Sequence, residues 1–280
     1  MLRVAPPSHD SGETFSRCAS IIRNPADRAA MLEVRERVVD QCNTYEQKAT
    51  EGDLYLLERL PYIGNITGTM LQDNYTNRLA RKNASTREIY DSIKLLPRNS
   101  KCPYCNSGTV ETIDHFLPKE HYPIHSVHPK NLIGCCHRCN FNKFRYFPRS
   151  KDETFIHPYF DTIEDTIWLE STIVETTPPV AIYTVKRSAF EDSITFRRVE
   201  FQFSLLKLDR IYSYAAADEI ASIEYNIEEI FNNSGALSVA THLSMQARSR
   251  RRYVSNSWQA SLYDALSSSE WYCNGGFRIV

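Results

Sequence analysis

Five of the eight cysteines fall within 38 residues, and four of those form two CxxC pairs: Cys102-Pro-Tyr-Cys105 and Cys136-His-Arg-Cys139. Thirty residues separate the pairs. A two-residue gap lets one tight turn aim two thiolates at a single ion. Two such turns complete a tetrahedral Zn²⁺ site with Zn–S near about 2.3 Å. The competing arrangement, a pair of disulfides, is disfavoured in a reducing cytoplasm. Cys135 abuts Cys136 but fits the CxxC spacing less well, so it is expected to be buried. Cys18, Cys42 and Cys273 sit in or near apolar patterns and are expected to pack.

Whatever surrounds this cluster is a globular protein. The chain has 280 residues, enough for about two domains. Its net charge is −1, so any grip on nucleic acid must come from a local patch. There are only 9 glycines, and neither GxGxxG nor GxxxxGK[ST] occurs, which argues against a built-in nucleotide fold. No apolar run approaches the roughly 18 residues of a membrane span. The N-terminus lacks the apolar stretch of a secretory signal. These features read as a cytoplasmic protein with no membrane partner.

The pattern divides the chain into three stretches: a helical region over 1–96, a cysteine- and histidine-rich stretch over 97–150, and an α/β to helical region over 151–280. Residues 1–12 read as a loose polar arm. Asn24-Pro25 is a helix start, with Asn24 as cap, and Met31, Val34, Val38 and Tyr45 continue at helical spacing. A second helix is expected over about 70–82. A third is expected from Ser85, where Ser85-x-x-Glu88 reads as a capping box, to Pro97, so that 13–96 is all-helical. Residues 100–151 hold 8 lysines and arginines against 3 acids, which leaves the rest of the chain at 25 against 31, net −6. Thr166–Val174 and Val180–Val185 read as a strand pair. Ile220, Ile223, Ile227 and Ile230 form one helical stripe, and Val254, Trp258, Leu262 and Leu266 another. The run Arg248-Ser-Arg250-Arg251-Arg252 reads equally as a phosphate or partner contact and as a solvated helix face.

Between the cysteine pairs lies Ile113-Asp114-His115-Phe116, then Asn131, and directly after the second pair Asn140 and Lys143. Each is unremarkable alone: a surface Asp-His pair, a turn asparagine, a helix-capping asparagine. Their joint order resembles the HNH nuclease motif, here as an H-N-N variant. The resemblance implies an α+β fold in which a zinc-stabilised ββα-metal HNH module is embedded in a mainly helical scaffold. It implies His115 as general base for water, and Asp114 and Asn140 as oxygen ligands for a catalytic Mg²⁺ or Mn²⁺. It implies Asn131 as the tie of the loop that orients His115. Lys143, three residues past Asn140, is expected to reach a phosphate oxygen. His121, His125 and His128 match no ligand spacing and are weaker candidates for substrate or metal contact. His137, inside the second pair, is a weaker substitute ligand.

A wider run is also similar to a known family. Asn74-x-Thr76, Arg81-Lys82-Asn83, Ile89-Tyr90-Asp91, Cys102-Pro-Tyr-Cys105, Asp114-His115-Phe116-Leu117-Pro118-Lys119, His121-Tyr122-Pro123 and His157-Pro-Tyr-Phe-Asp161 occur in order. This resembles the stand-alone HNH proteins of Septu-type antiphage systems, including those attached to retrons. The resemblance implies a nuclease subunit that acts on nucleic acid, DNA or RNA, beside an ABC/AAA-type ATPase, and in some systems beside a retron RNA–DNA complex. Amphipathic stripes over 14–96 and 187–270 are candidate partner surfaces, or else pack on each other. Three rival readings are a zinc-stabilised nucleic-acid-binding module without catalysis, an adaptor with a decayed HNH frame, and a stand-alone restriction-type enzyme.

Overall fold

Asp10 accepts the Glu13 amide at 2.8 Å and starts α1 (Ser11–Ser20). Asn24 accepts from the amides of Ala26 and Asp27, with Pro25 supplying a preset φ, and starts α2 (Pro25–Glu33). One continuous helix was expected here. The chain instead turns at Val34 (φ −85°, ψ 1°) and restarts as α3 (Arg35–Glu51). The turn re-aims the apolar stripe, so Met31, Val34, Val38 and Tyr45 are all buried. The computed structural model describes residues 1–278.

The all-helical expectation for 13–96 fails at 57–67. Pro61 lacks an amide proton and Gly64 takes φ +57°, and between them they favour a short hairpin, β1 (Tyr62–Ile63) with β2 (Ile66–Thr67). Helix α4 (Gly68–Asp73) follows and widens into a π-turn over Asn74–Leu79. Helix α5 spans Arg87–Lys94, without the expected capping box. Glu88 pairs instead with Arg17 at 2.6 Å, and the same guanidinium takes the Ser85 carbonyl. The N-terminal arm is not loose either. The Leu2 amide donates to Pro103 O at 2.7 Å and the Val4 amide to Pro158 O at 2.9 Å, with Met1 and Val4 buried.

The chain divides by contact into two compact units, Met1–Asp161 and the remainder from Thr162. In the first unit, one core joins Phe15, Met31, Val38, Leu71, Leu79, Ile89 and Ile93 from the helices to Ile113, Ile124, Val127 and Leu132 from the cysteine-rich stretch. The stripes of 14–96 therefore face this core rather than solvent. β3 (Thr112–His115) and β4 (Leu132–Cys135) pair antiparallel, with Ile113 opposite Gly134 and His115 opposite Leu132. α6 (His137–Lys143) follows directly and packs on β3. A Cβ on Gly134 would lie 3.0 Å from Lys94 O, which is how closely β4 approaches the end of α5.

The second unit contains the expected strand pair, β5 (Leu169–Val174) with β6 (Val180–Val185), and α7 (Ser193–Leu205). It also holds α8 (Leu208–Tyr253), interrupted at Gly235 where φ is +73°, and α9 (Trp258–Ser268). Helix α8 packs on α9 and β6, and α9 packs on β5. Ile220 and Ile227 are buried on α8, and Trp258, Leu262 and Leu266 on α9, whereas Val254 lies in the turn between them. Arg250 lies over the Tyr263 ring at 4.1 Å and Arg251 pairs with Asp264, while Arg248 and Arg252 face solvent. No helix among the described residues is long and apolar enough to cross a membrane.

Asn256 carries the first testable consequence. Its Oδ1 accepts the amides of Trp168 and Leu169 at 2.8 and 3.1 Å, and its Nδ2 donates to Thr166 O at 2.7 Å, so it clips the start of β5. Asn256→Ala strands buried amides at about 1–3 kcal/mol each. Urea denaturation is expected to show a loss of roughly 2–4 kcal/mol, with Asn256→Asp recovering part of it.

Candidate active site

The two CxxC turns converge. The sulfurs of Cys102, Cys105, Cys136 and Cys139 all lie within 4.8 Å of one another, and all four residues are buried. Cys105 Sγ and Cys136 Sγ are 3.8 Å apart. Four sulfurs at about 2.3 Å from one ion in a tetrahedron are separated by about 3.8 Å, so the donor set fits Zn²⁺. The Gly108 amide points at Cys105 Sγ (3.3 Å) and the Cys139 amide at Cys136 Sγ (3.4 Å), which favours thiolate sulfur. Hydrogen bonding from Cys102 holds the Cys105 and Cys136 thiols below their ordinary range. No disulfide joins any of the eight cysteines in this structure. Cys135 is buried outside the set, and burial raises its thiol. Sequence reading missed Gly108. A Cβ there would sit 2.8 Å from Cys136 Sγ, so only glycine lets the first turn close on the second.

Strand β3 carries the other groups. Successive side chains on a strand face opposite ways, so Asp114 and His115 leave it on different sides. Both still line one open cleft of about 450 Å³, together with Tyr75, Lys119, Glu120, His137, Asn140, Phe141, Phe144 and Arg145. Asp114 accepts from Tyr104 Oη at 2.9 Å and from Lys143 Nζ at 2.9 and 3.1 Å. Burial raises its carboxyl, and the Lys143 ammonium and Tyr104 hydroxyl oppose that rise.

His115 Nε2 lies 2.9 Å from Ser126 O. A carbonyl only accepts, so Nε2 carries the proton and Nδ1 holds the free lone pair. Burial lowers the imidazole to about 4, so the ring is neutral near pH 7. Tyr75, from the π-turn, meets the ring edge-on at 4.3 Å. Neither Ser126 nor Tyr75 was legible in the sequence.

Asn131 is fully buried. Its Oδ1 accepts the Leu117 amide at 2.8 Å, and its Nδ2 donates to the carbonyls of Leu117 and His125 at 3.0 and 3.1 Å. It closes the loop that delivers Ser126 O to His115. Asn140 is half-buried on the cleft wall. Lys143 is not in a position to reach outward. Its ammonium is buried against Asp114 and donates to His115 O at 2.7 Å, so the expected phosphate contact gives way to an internal ion pair. His121 lies on Phe147, and His137 is exposed outside the thiol cluster. His125 and His128 are buried around Tyr45, where His125 Nδ1 and His128 Nε2 have no hydrogen-bond partner. His157 stacks on Phe116 and meets Tyr45 Oη at 3.1 Å.

Comparison with known proteins adds two relatives. Protein ea31 of Escherichia phage lambda is 25% identical over 307 aligned positions, covering 98% of this chain and all of that protein. Septu protein PtuB of Bacillus thuringiensis is 41% identical over 69 residues, covering 23% of this chain and 26% of PtuB. The chain thus matches about a quarter of PtuB's length. No protein-family model matches the chain, and no solved structure matches it. The findings define a helix-rich α+β protein with a buried four-cysteine cluster able to hold zinc, related over part of its length to PtuB.

Two predictions follow from this geometry. Gly108→Ala is expected to weaken zinc retention on the order of 10- to 100-fold, read by transfer to a chromophoric chelator, because the knuckles no longer close. The second concerns acid. Burial lowers His125 to about 3 and lowers His128 well below its ordinary value. Between those values and the unfolded value near 6.5, the unfolded chain binds more protons, so stability falls as pH falls. Urea midpoints measured at descending pH are expected to decline from about 6.5, and less steeply in His125→Leu.

Proposed function

We propose that the chain is a metal-dependent HNH endonuclease that hydrolyses phosphodiester bonds in nucleic acid, the effector of an antiphage ATPase–nuclease complex. One observation carries this reading: Asp114, His115 and Asn140 share one cleft, and the Ser126 carbonyl fixes the His115 tautomer that a base needs. The β3–β4 hairpin and α6 then correspond to the ββα-metal unit, with zinc on Cys102, Cys105, Cys136 and Cys139. PtuB, by its name a Septu protein, supports the defence context.

His115 Nδ1 takes the proton of the attacking water as its oxygen bonds to phosphorus, and the bond to the leaving oxygen breaks. That oxygen takes its proton from solvent. Asn131 holds the 117–125 loop so that Ser126 O keeps Nε2 protonated throughout. Lys143 and Tyr104 aim the Asp114 carboxylate and oppose the rise that burial imposes on it. Asp114 and Asn140 would be the oxygen donors that hold Mg²⁺ or Mn²⁺, for which few protein ligands suffice. When bound, it supplies charge neutralisation at the phosphate and the leaving oxygen. The ATPase partner is what the resemblance implies. Tyr214, Tyr225, Leu237 and Met245 are exposed on α8 and offer it apolar contacts.

The test is cleavage of DNA and RNA with Mg²⁺ or Mn²⁺, by the chain alone and co-purified with the product of a neighbouring ATPase gene. His115→Gln is expected to lower the rate about 10²–10⁴-fold while zinc content and melting temperature hold. Asn140→Ala is expected to raise the metal concentration required. Wild-type rates in His115→Gln, or no cleavage under any of these conditions, would overturn the assignment.

A further inference from the structure

Phe141 and Phe144 sit on the lip of the cleft with 80% and 68% of their surface in water. They are two of the most exposed aromatic residues in the chain, three positions apart on and just beyond α6. Phe144 ends that helix at φ 48°, ψ −129°, a region that L-residues seldom adopt and where a bulky side chain is a rare outlier. Helices that end at positive φ usually place glycine there. A phenylalanine here therefore carries two unfavourable features, a strained backbone and a solvated apolar ring. Such strain persists where surrounding structure enforces it, and it concentrates at functional sites.

The surroundings indicate what the rings meet. Arg145 lies 5.3 Å from the Phe144 centroid, and Lys119 lines the same cleft. Glu120 partly offsets them, at 3.2 Å from Lys119 and 3.9 Å from Arg145. The cleft lining holds two cations, Lys119 and Arg145, and two anions, Glu120 and Asp114, of which Asp114 is paired with the buried Lys143. Exposed aromatic faces beside cations are the elements from which single-strand binding surfaces are made, because every base has a face that stacks. In a duplex the bases are paired inside, and rings at this position would meet only sugar and phosphate.

We propose that Phe141 and Phe144 form a stacking platform for unpaired bases next to the scissile phosphate, so that the preferred substrate is an unpaired strand. This deepens the nuclease reading and rests on it for the word scissile. The platform itself is a binding surface and is tested by binding. Stacking is worth roughly 5- to 150-fold in affinity per base.

The experiment measures binding of a short oligonucleotide, single-stranded and as a duplex, to the full chain without added divalent ion. The strand carries a fluorescent adenine analogue whose emission is quenched by stacking. Phe144→Gly removes the ring and the backbone strain together, so its melting temperature is expected to be equal or higher. Its affinity for single strand is expected to fall about tenfold or more, with quenching lost and duplex binding unchanged. Phe141→Ala is expected to act in the same direction, and Phe144→Trp to restore both affinity and quenching. Single-strand affinity unchanged in Phe144→Gly and Phe141→Ala overturns the platform, as does wild-type protein that fails to bind single strand or binds duplex equally. If the variants lose capture of the ATPase instead, the rings face protein and the proposal fails. Cleavage by the same samples separates the two readings. Retained cleavage with unaltered binding removes the platform and leaves the nuclease. Quenched binding by a wild-type chain that never cleaves leaves the platform and removes the nuclease.

Discussion

Everything around the cleft hangs on four sulfurs. β3 and β4 are four residues each and α6 is seven, lengths at which neither a hairpin nor a helix persists alone in water. The thiol cluster ties the turn before β3 to the turn after β4. It thereby fixes where α6 begins, and so where Asn140, Phe141 and Lys143 project. A cation on those sulfurs ties its binding free energy to the folding of these short pieces. Closing the cluster also demands Gly108, since the second knuckle occupies the space a side chain would need.

A second constraint is the ion pair between Lys143 and Asp114, both buried. Removing two charges from water is expensive, and an isolated pair seldom repays it. Here the remaining capacity is used: Tyr104 donates to the carboxylate and His115 O accepts from the ammonium. The pair links α6 to β3 at the level of the cleft. Breaking it from one side leaves an uncompensated charge beside His115, so this site has little tolerance for conservative-looking substitutions such as Lys143→Met.

The cysteine cluster was legible because CxxC spacing is a local rule that tertiary context rarely overrides. Asp114, His115, Asn131 and Asn140 were legible as an ordered set, and the strands 169–174 and 180–185 through their β-branched alternation. What escaped the sequence depended on partners far along the chain. Glu88 leaves its capping role for Arg17, 71 positions away. The first residues look like a polar tail until Pro103 and Pro158 supply carbonyls for them. Lys143 looks like a phosphate ligand by helical spacing, and only the fold shows a carboxylate directly beneath it. The break at Val34 keeps the apolar periodicity intact on both sides, so periodicity could not report it.

The π-turn at 74–79 brings Tyr75 from the helical region onto the His115 ring, and Ile113 and Leu132 share a core with helices that begin far upstream. The cysteine-rich segment is therefore not a portable cassette. A recombination breakpoint anywhere between Tyr75 and the second cysteine pair would separate the ring from the wall that shapes it.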